Sequence, residues 1–273
     1  MNEPISVNKK VIFITGAFGL IGKTIIESFL KQGAYIVAVD INKKEGKLFE
    51  KWLSANYKET TYLVLYSDIT DPESNQKSVE QAIKKFKRID VLINNAAIDA
   101  KFDKKAKKKV NQTRFENFPL EQLEKSIEVN VKGLFLITQQ VIKQMLKQRF
   151  GNIINVASTY SLVSPNQSLY EFGDGNIRYK PVDYVITKSM IPNFTRYLAT
   201  FYANKNIRCN AIAPHGIYNG HDENFVVNFS KLSPMGRMAN KEELTGPFTF
   251  LASDASSYMT GSILTIDGGW TAW

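Results

Sequence analysis

Tyr184 and Lys188 stand four residues apart in "YVITK". On a helix, residues i and i+4 project from one face, so the lysine ammonium would sit beside the phenol. The cation favours the phenolate and draws down a pKa ordinarily near 10, which makes Tyr184 a usable acid or base at neutral pH. A second set is "TGAFGLIGK", Thr15 to Lys23, in which Gly16, Gly19 and Gly22 are interleaved with Phe18, Leu20 and Ile21. Glycine has no Cβ, so the backbone can turn sharply and approach a pyrophosphate, and a helix start beyond it offers free N–H groups. Asp40 follows Gly22 by eighteen residues. A carboxylate there suits both hydroxyls of an adenosine ribose and repels a 2′-phosphate, favouring NAD over NADP. Lys43 and Lys44 pull the other way. Taken singly, the glycines also fit a plain tight turn, and the Tyr–Lys pair an ordinary surface.

The elements that would position these groups are legible from hydrophobic pattern. "KVIFIT" (10–15), "AYIVAVD" (34–40), "TYLVLYSD" (61–68), "IDVLINNA" (89–96), "GNIINVAS" (151–158), "IRCNAIAP" (207–214) and "SILTIDGG" (262–269) read as buried strands. Between them, Ile21, Ile25, Phe29 and Leu30 fall on one face of a helix that stops at Gly33. "DPESNQKSVEQAIKKFKR" has an Asp-Pro start, and long helices are expected from about Pro119 and over "DYVITKSMIPNFTRYLATFYANK". Strands alternating with helices imply an α/β fold, a doubly wound parallel sheet within a single domain spanning 1–273. Three segments, at about 98–118, 159–183 and 215–240, are expected as substrate loops. The first two follow the C-terminal ends of strands, where open α/β sheets bind ligands.

Composition narrows the function. The 273 residues are 44% hydrophobic and 22% charged, enough for one large core. The opening "MNEPISVNKK" is polar and no apolar run is long enough to span a bilayer, so neither a signal peptide nor a membrane partner is expected. Cys209 is the only cysteine, which fits a reducing cytoplasm. His215 and His221, with Asp222 and Glu223, lack the spacing of a helix-borne metal motif, and no metal is expected. Of the +9 net charge, much lies in "DAKFDKKAKKKVNQTR", Asp99 to Arg114. That stretch is either a solvated lysine-rich loop or a rim attracting an anionic substrate. Nothing resembles a nucleic-acid recognition module.

"TGAFGLIG", Asp68, "NNAA" (94–97), Asn130 in "VNVKG", Ser158 in "NVAS", "YVITK" and the ending "FLASDASSYMTGSILTIDGGW" together resemble the short-chain dehydrogenase/reductase family, in order and over nearly the whole chain. The resemblance implies a Rossmann-type sheet of about seven parallel strands, NAD or NADP, and a catalytic tetrad of Asn130, Ser158, Tyr184 and Lys188. By it, Tyr184 would exchange a proton with the substrate oxygen and Ser158 would hold that oxygen. Lys188 would lower the tyrosine pKa and bind the nicotinamide ribose, and Asn130 would hold a water leading from Lys188. Asp68 and Ile69 would flank the adenine, Asn94, Asn95 and Ala96 would run along the adenosine ribose, and Pro214, Gly216, Ile217 and Asn219 would face the nicotinamide. Family members commonly form homodimers or homotetramers.

Three departures from the family pattern stand out. Leu20 occupies the usual middle glycine position, and Gly19 gives T-G-x-x-G-x-x-G, more like the longer sugar-nucleotide epimerases and dehydratases. His215 replaces the glycine of the usual Pro-Gly, and Asn219 stands where a threonine often does. Ser158 and Tyr184 are 26 residues apart, about twice the usual gap. Of the tyrosines considered there, Tyr170 and Tyr179 have aspartates four residues on, and only Tyr184 has its lysine. The extra residues, containing Tyr170, Phe172, Asn176, Arg178 and Tyr179, would sit over the catalytic centre. With Thr159 and Tyr160, Tyr170 and Arg178 are the substrate candidates, suited to a polyhydroxylated ring with an anionic group; a self-packed Ω-loop is the alternative. These features look most like the bacterial branch associated with flagellin glycosylation and surface-sugar biosynthesis. The expected activity is hydride transfer between nicotinamide and a hydroxyl or carbonyl carbon of a sugar or amino sugar. A sugar epimerase or dehydratase with tightly held NAD and a non-enzymatic nucleotide sensor are the competing readings.

Overall fold

A computed structural model describes residues 5–99, 113–171 and 178–273. The chain alternates β1 (Val11–Thr15), α1 (Leu20–Lys31), β2 (Tyr35–Asp40), α2 (Lys43–Asn56), β3 (Tyr62–Tyr66), α3 (Pro72–Phe86) and β4 (Val91–Asn94). After the first long connection come α4 (Leu120–Ile127), α5 (Leu134–Gln148) and β5 (Gly151–Val156). Then follow α6 (Val182–Ser189), α7 (Ile191–Tyr202), β6 (Ile207–Pro214), α8 (Glu223–Leu232), α9 (Thr245–Ala252) and β7 (Ile263–Ile266). The seven strands lie in the order β3-β2-β1-β4-β5-β6-β7, and every neighbouring pair is parallel.

Alternate residues of each strand serve opposite cores, as a period of two requires. Ile12 and Ile14 of β1 pack with Ile25 and Phe29 of α1, Leu53 of α2 and Phe248 of α9. Val11 and Phe13 face the other way, towards Val79 of α3, Val141 of α5 and Leu198 of α7. Burial on both faces is why these strands are nearly continuous apolar runs. Their C-terminal ends, Thr15, Asp40, Asn94, Val156 and Pro214, share one edge of the sheet.

The helices depart from the sequence pattern in instructive ways. The helix expected from Pro119 is interrupted at Glu128–Gly133 by a π turn that carries Asn130. The helix expected from Asp183 is two, joined at Met190 before Pro192, whose ring cannot continue an unbroken ladder. The segment 215–240, expected as a loop, contains α8, with Asp222 as N-cap accepting from the Asn224 N–H. Helix α2 has only Gly46, Phe49 and Leu53 buried, too thin an apolar stripe to stand out in sequence. Residues 100–112 of the lysine-rich stretch, together with Phe172 and Asn176, lie outside the described residues.

Candidate active site

The glycine turn is braced from across the sheet. Gly16 has φ +63°, and a Cβ there would lie 2.7 Å from Ala96 Cα. Only glycine takes that conformation without strain, and only glycine leaves room for the neighbouring strand end. The backbone N–H groups of Asn95 and Ala96 both donate to Thr15 Oγ1 at 3.1 Å, and Asn95 Nδ2 donates to the carbonyls of Thr15 (3.1 Å) and Gly16 (2.9 Å). At Gly22 a Cβ would meet Gly16 O at 2.4 Å, so the start of α1 packs directly on the turn. Gly19 differs: it caps α1, is exposed, and a Cβ there would meet only Gly16 O, at 3.5 Å. Its N–H bonds Gly16 O at 3.3 Å, but the space a Cβ would take is open for a ligand to approach, beside the N–H groups that begin α1. Phe18 is buried against Phe49 and Tyr66, so its site-facing part is its N–H, which donates to Asp40 Oδ2 at 3.0 Å.

These residues border a cleft of about 790 Å³ at the strand ends. Gly16, Gly19, Leu20 and Ile21 form one wall, with Asp40 beside them. Asp68 and Ile69 line it further on, and Asn95, Ala96 and Ile217 close other parts. Asp40 Oδ1 accepts from the Asn42 N–H at 2.9 Å, and Asp68 Oδ1 accepts from both the N–H and hydroxyl of Thr70 at 2.8 Å, fixing both carboxylates. The volume, the cradle without a Cβ and the oriented Asp40 fit a dinucleotide. Asn94 is not part of this lining. It is buried, and its Nδ2 ties β4 to Thr138 of α5 and Asn155 of β5, both at 2.8 Å.

Asn130, Ser158, Tyr184 and Lys188 converge from three elements. Asn130 Oδ1 accepts from the Ile98 N–H at 2.8 Å, and its Nδ2 donates to Ile98 O and Thr187 Oγ1, each at 3.0 Å. The π turn thus joins the strand-β4 exit to α6. Ser158 follows β5 and accepts the Tyr160 N–H at 3.2 Å. Its hydroxyl also bonds the Tyr184 side chain, favouring the phenolate. Lys188, buried, donates to Val156 O at 2.7 Å, and its ammonium lies 5.8 Å from the Tyr184 ring centroid. Burial, the larger influence on both groups, pushes Tyr184 above its ordinary value and Lys188 down to about 8. For Tyr184 that net direction is opposite to the sequence expectation, because desolvation outweighs the favourable contacts.

The substrate candidates take different positions. Thr159 is buried, with Oγ1 donating to Pro214 O at 3.4 Å, and so links the ends of β5 and β6. Tyr160 and Tyr170 are buried with hydroxyls 3.3 Å apart, and Tyr170 packs on Phe225. Arg178 is half-buried next to Tyr179, above whose ring Arg114 lies at 5.7 Å. Pro214 is buried at the end of β6, Gly216 packs on the Phe229 ring, and Asn219 is exposed, its N–H donating to His221 Nδ1. His215 is sunk among Tyr160, Phe229 and Trp270, and burial holds its imidazole down at about 4.

Two residues that sequence reasoning missed stand beside the phenol. The buried Lys180 places Nζ 4.2 Å from the Tyr184 ring centroid and 2.7 Å from both carboxylate oxygens of Asp99. The only available signal was spacing: Lys180, Tyr184 and Lys188 recur at intervals of four, but Lys180 precedes α6 and Asp99 is far away in sequence.

Comparison with known proteins agrees with this geometry. A family model described as enoyl-(acyl carrier protein) reductase matches residues 16–271. Post-translational flagellin modification protein A of Campylobacter coli is 29% identical, over 97% of this chain and 99% of its own. A 3-oxoacyl-[acyl-carrier-protein] reductase of Thermotoga maritima is 33% identical, over 95% and 97%. The crystal structure of a short chain dehydrogenase from Leptospira borgpetersenii with bound NAD+ superposes with a TM-score of 0.83 at 30% identity, covering 99% of this chain and 96% of that one. The parallel seven-stranded sheet and these likenesses identify the chain as a member of the short-chain dehydrogenase/reductase family, an NAD(P)-dependent oxidoreductase.

Proposed function

We propose that the chain oxidises a hydroxyl or reduces a carbonyl on a sugar or amino-sugar derivative, with NAD preferred to NADP. The observation that carries the chemistry is the meeting of Ser158, Tyr184 and Lys188 at the end of β5. The nicotinamide, when bound, supplies or accepts the hydride. Tyr184 Oη gives a proton to the substrate oxygen in reduction and takes it in oxidation. Ser158 Oγ, already bonded to Tyr184, orients that oxygen. Lys188 keeps positive charge near the phenol, and Asn130 fixes α6 through Thr187.

Asp40 supports NAD, since a carboxylate tied to the turn repels a 2′-phosphate. The flagellin-modification name of the Campylobacter relative supports a sugar. We place the activity in the cytoplasm, where the buried thiol of Cys209 stays reduced. Exposed Phe135 on α5 and Tyr197 and Phe201 on α7 support a homo-oligomer joined through these helices.

Phosphorylated and nucleotide-linked sugars, screened with NAD and NADP in parallel, should yield net reduced cofactor with one sugar class, and faster with NAD. Tyr184→Phe should lower turnover by at least about 10²-fold while NAD+ affinity changes little. An active Tyr184→Phe enzyme would sink the acid–base assignment. Turnover of sugar without net change in cofactor would point instead to an epimerase or dehydratase.

A further inference from the structure

The phenol of Tyr184 has a second cation against it. Lys180 Nζ lies 4.2 Å from the ring centroid, nearer than Lys188 Nζ at 5.8 Å. Burying an ammonium without a partner is costly, and Asp99 holds this one symmetrically at 2.7 Å to each oxygen. Both ends of the pair are anchored. Gln167 Oε1 accepts the Lys180 N–H at 2.9 Å, and Asn130 grips both polar backbone atoms of Ile98, the residue before Asp99. The Lys180 side chain is 8% exposed and that of Asp99 45%, so the ammonium is sealed against the ring while the carboxylate opens outward.

We propose that the Asp99–Lys180 pair governs how readily Tyr184 releases its proton, the ammonium favouring the phenolate and the carboxylate opposing it. This rests on Tyr184 being the acid–base group. Lys180 is a positioning residue in this scheme, acting through the ring rather than on substrate. Among the described residues, the other groups around the phenol leave this role open. On its own helix, Lys188 is committed to Val156 O, and Asp183 accepts from Ser126 of α4. Ser158 donates locally to the phenol's oxygen environment, while Tyr160 and Tyr170 are neutral hydroxyls bonded to each other. His215 beyond Tyr160 is held neutral by burial, and Lys125 and Glu128 line the dinucleotide cleft. The carboxylate of Asp99 pushes Tyr184 upward, consistent with its opposing part.

The signature is a pair of opposite shifts from the two halves of one ion pair. Full-length protein labelled with 13C at tyrosine Cζ, with saturating NAD+, is titrated by NMR from about pH 6 to 12, a range carried above an ordinary phenol because burial raises Tyr184. The Tyr184 signal is assigned as the one missing in Tyr184→Phe. Relative to wild type, Asp99→Asn should lower the titration midpoint by about one unit, and Lys180→Met should raise it or carry it beyond the range. Lys180→Arg should keep the wild-type direction. The Asp99→Asn/Lys180→Met double variant leaves no buried ion unpaired, so it guards against misfolding, and its midpoint should fall between those of the single variants. Single variants that shift the signal in the same direction, or an Asp99→Asn signal that titrates no earlier than wild type, overturn the proposal. Those results leave the acid–base role of Tyr184 standing, which only an active Tyr184→Phe enzyme removes.

Discussion

Lys188 is buried with its ammonium on the Val156 carbonyl, and that placement has a measurable cost. A lysine held at about 8 instead of 10.5 destabilises the folded state at neutral pH by on the order of 3 kcal/mol. The unfolded chain binds that proton more tightly, so the penalty is complete below about pH 8 and vanishes as pH rises to 10.5. Lys188→Met should therefore gain on wild type at pH 7, less about 1–3 kcal/mol for leaving Val156 O unpaired. Wild type should recover relative to the variant between pH 8 and 10.5. Urea midpoints for both proteins across that range test this, and a difference independent of pH would count against a depressed Lys188. The same residues show where sequence stops informing. Tyr184 and Lys188 share a helix, so spacing alone pairs them. Lys180 meets Asp99 across 81 positions, and no local periodicity encodes that contact.

Among the elements, the three glycines of the turn make separable contributions. Gly16→Ala forces a left-handed residue, costing about 1–2 kcal/mol, and drives its Cβ onto Ala96. Gly22→Ala drives a Cβ onto the backbone of Gly16 and Ala17. Both should lower the melting temperature. Gly19→Ala should leave it nearly unchanged while weakening NAD+ binding about tenfold or more, measured by calorimetry. Equal loss of stability at all three positions would mean that Gly19 serves the turn rather than a ligand. All seven strands are legible in sequence as short apolar runs; the inner five are largely buried on both faces, while the edge strands β3 and β7 are partly exposed. Helix α2 is not, since its buried stripe is thin, with only Gly46, Phe49 and Leu53 buried. Helix α8 buries Phe229 alone. The π turn at Asn130 is also hidden: its extra residue is accommodated by the contacts to Ile98 and Thr187, which belong to other elements.

At the scale of the molecule, the strand order separates neighbours in space from neighbours in sequence. β1 pairs with β2 close by in the chain, but its other flank waits for β4, with Ile12 opposite Val91. The Thr15–Asn95 contacts that hold the glycine turn span 80 positions. Non-local contacts of this kind slow folding, and their closure is expected late. A chain emerging during synthesis therefore carries every glycine of the turn long before it owns the turn. A dinucleotide can bind only after that closure, so it acts as a late lock on the finished molecule rather than as a template for its assembly. Saturating NAD+ should raise the melting temperature and slow unfolding while leaving the refolding rate within about twofold in stopped-flow experiments. Faster refolding with NAD+ would place the brace of Asn95 and Ala96 before the rate-limiting step. With refolding unchanged, the dinucleotide reports maturation, sensed only by chains that have joined their two halves.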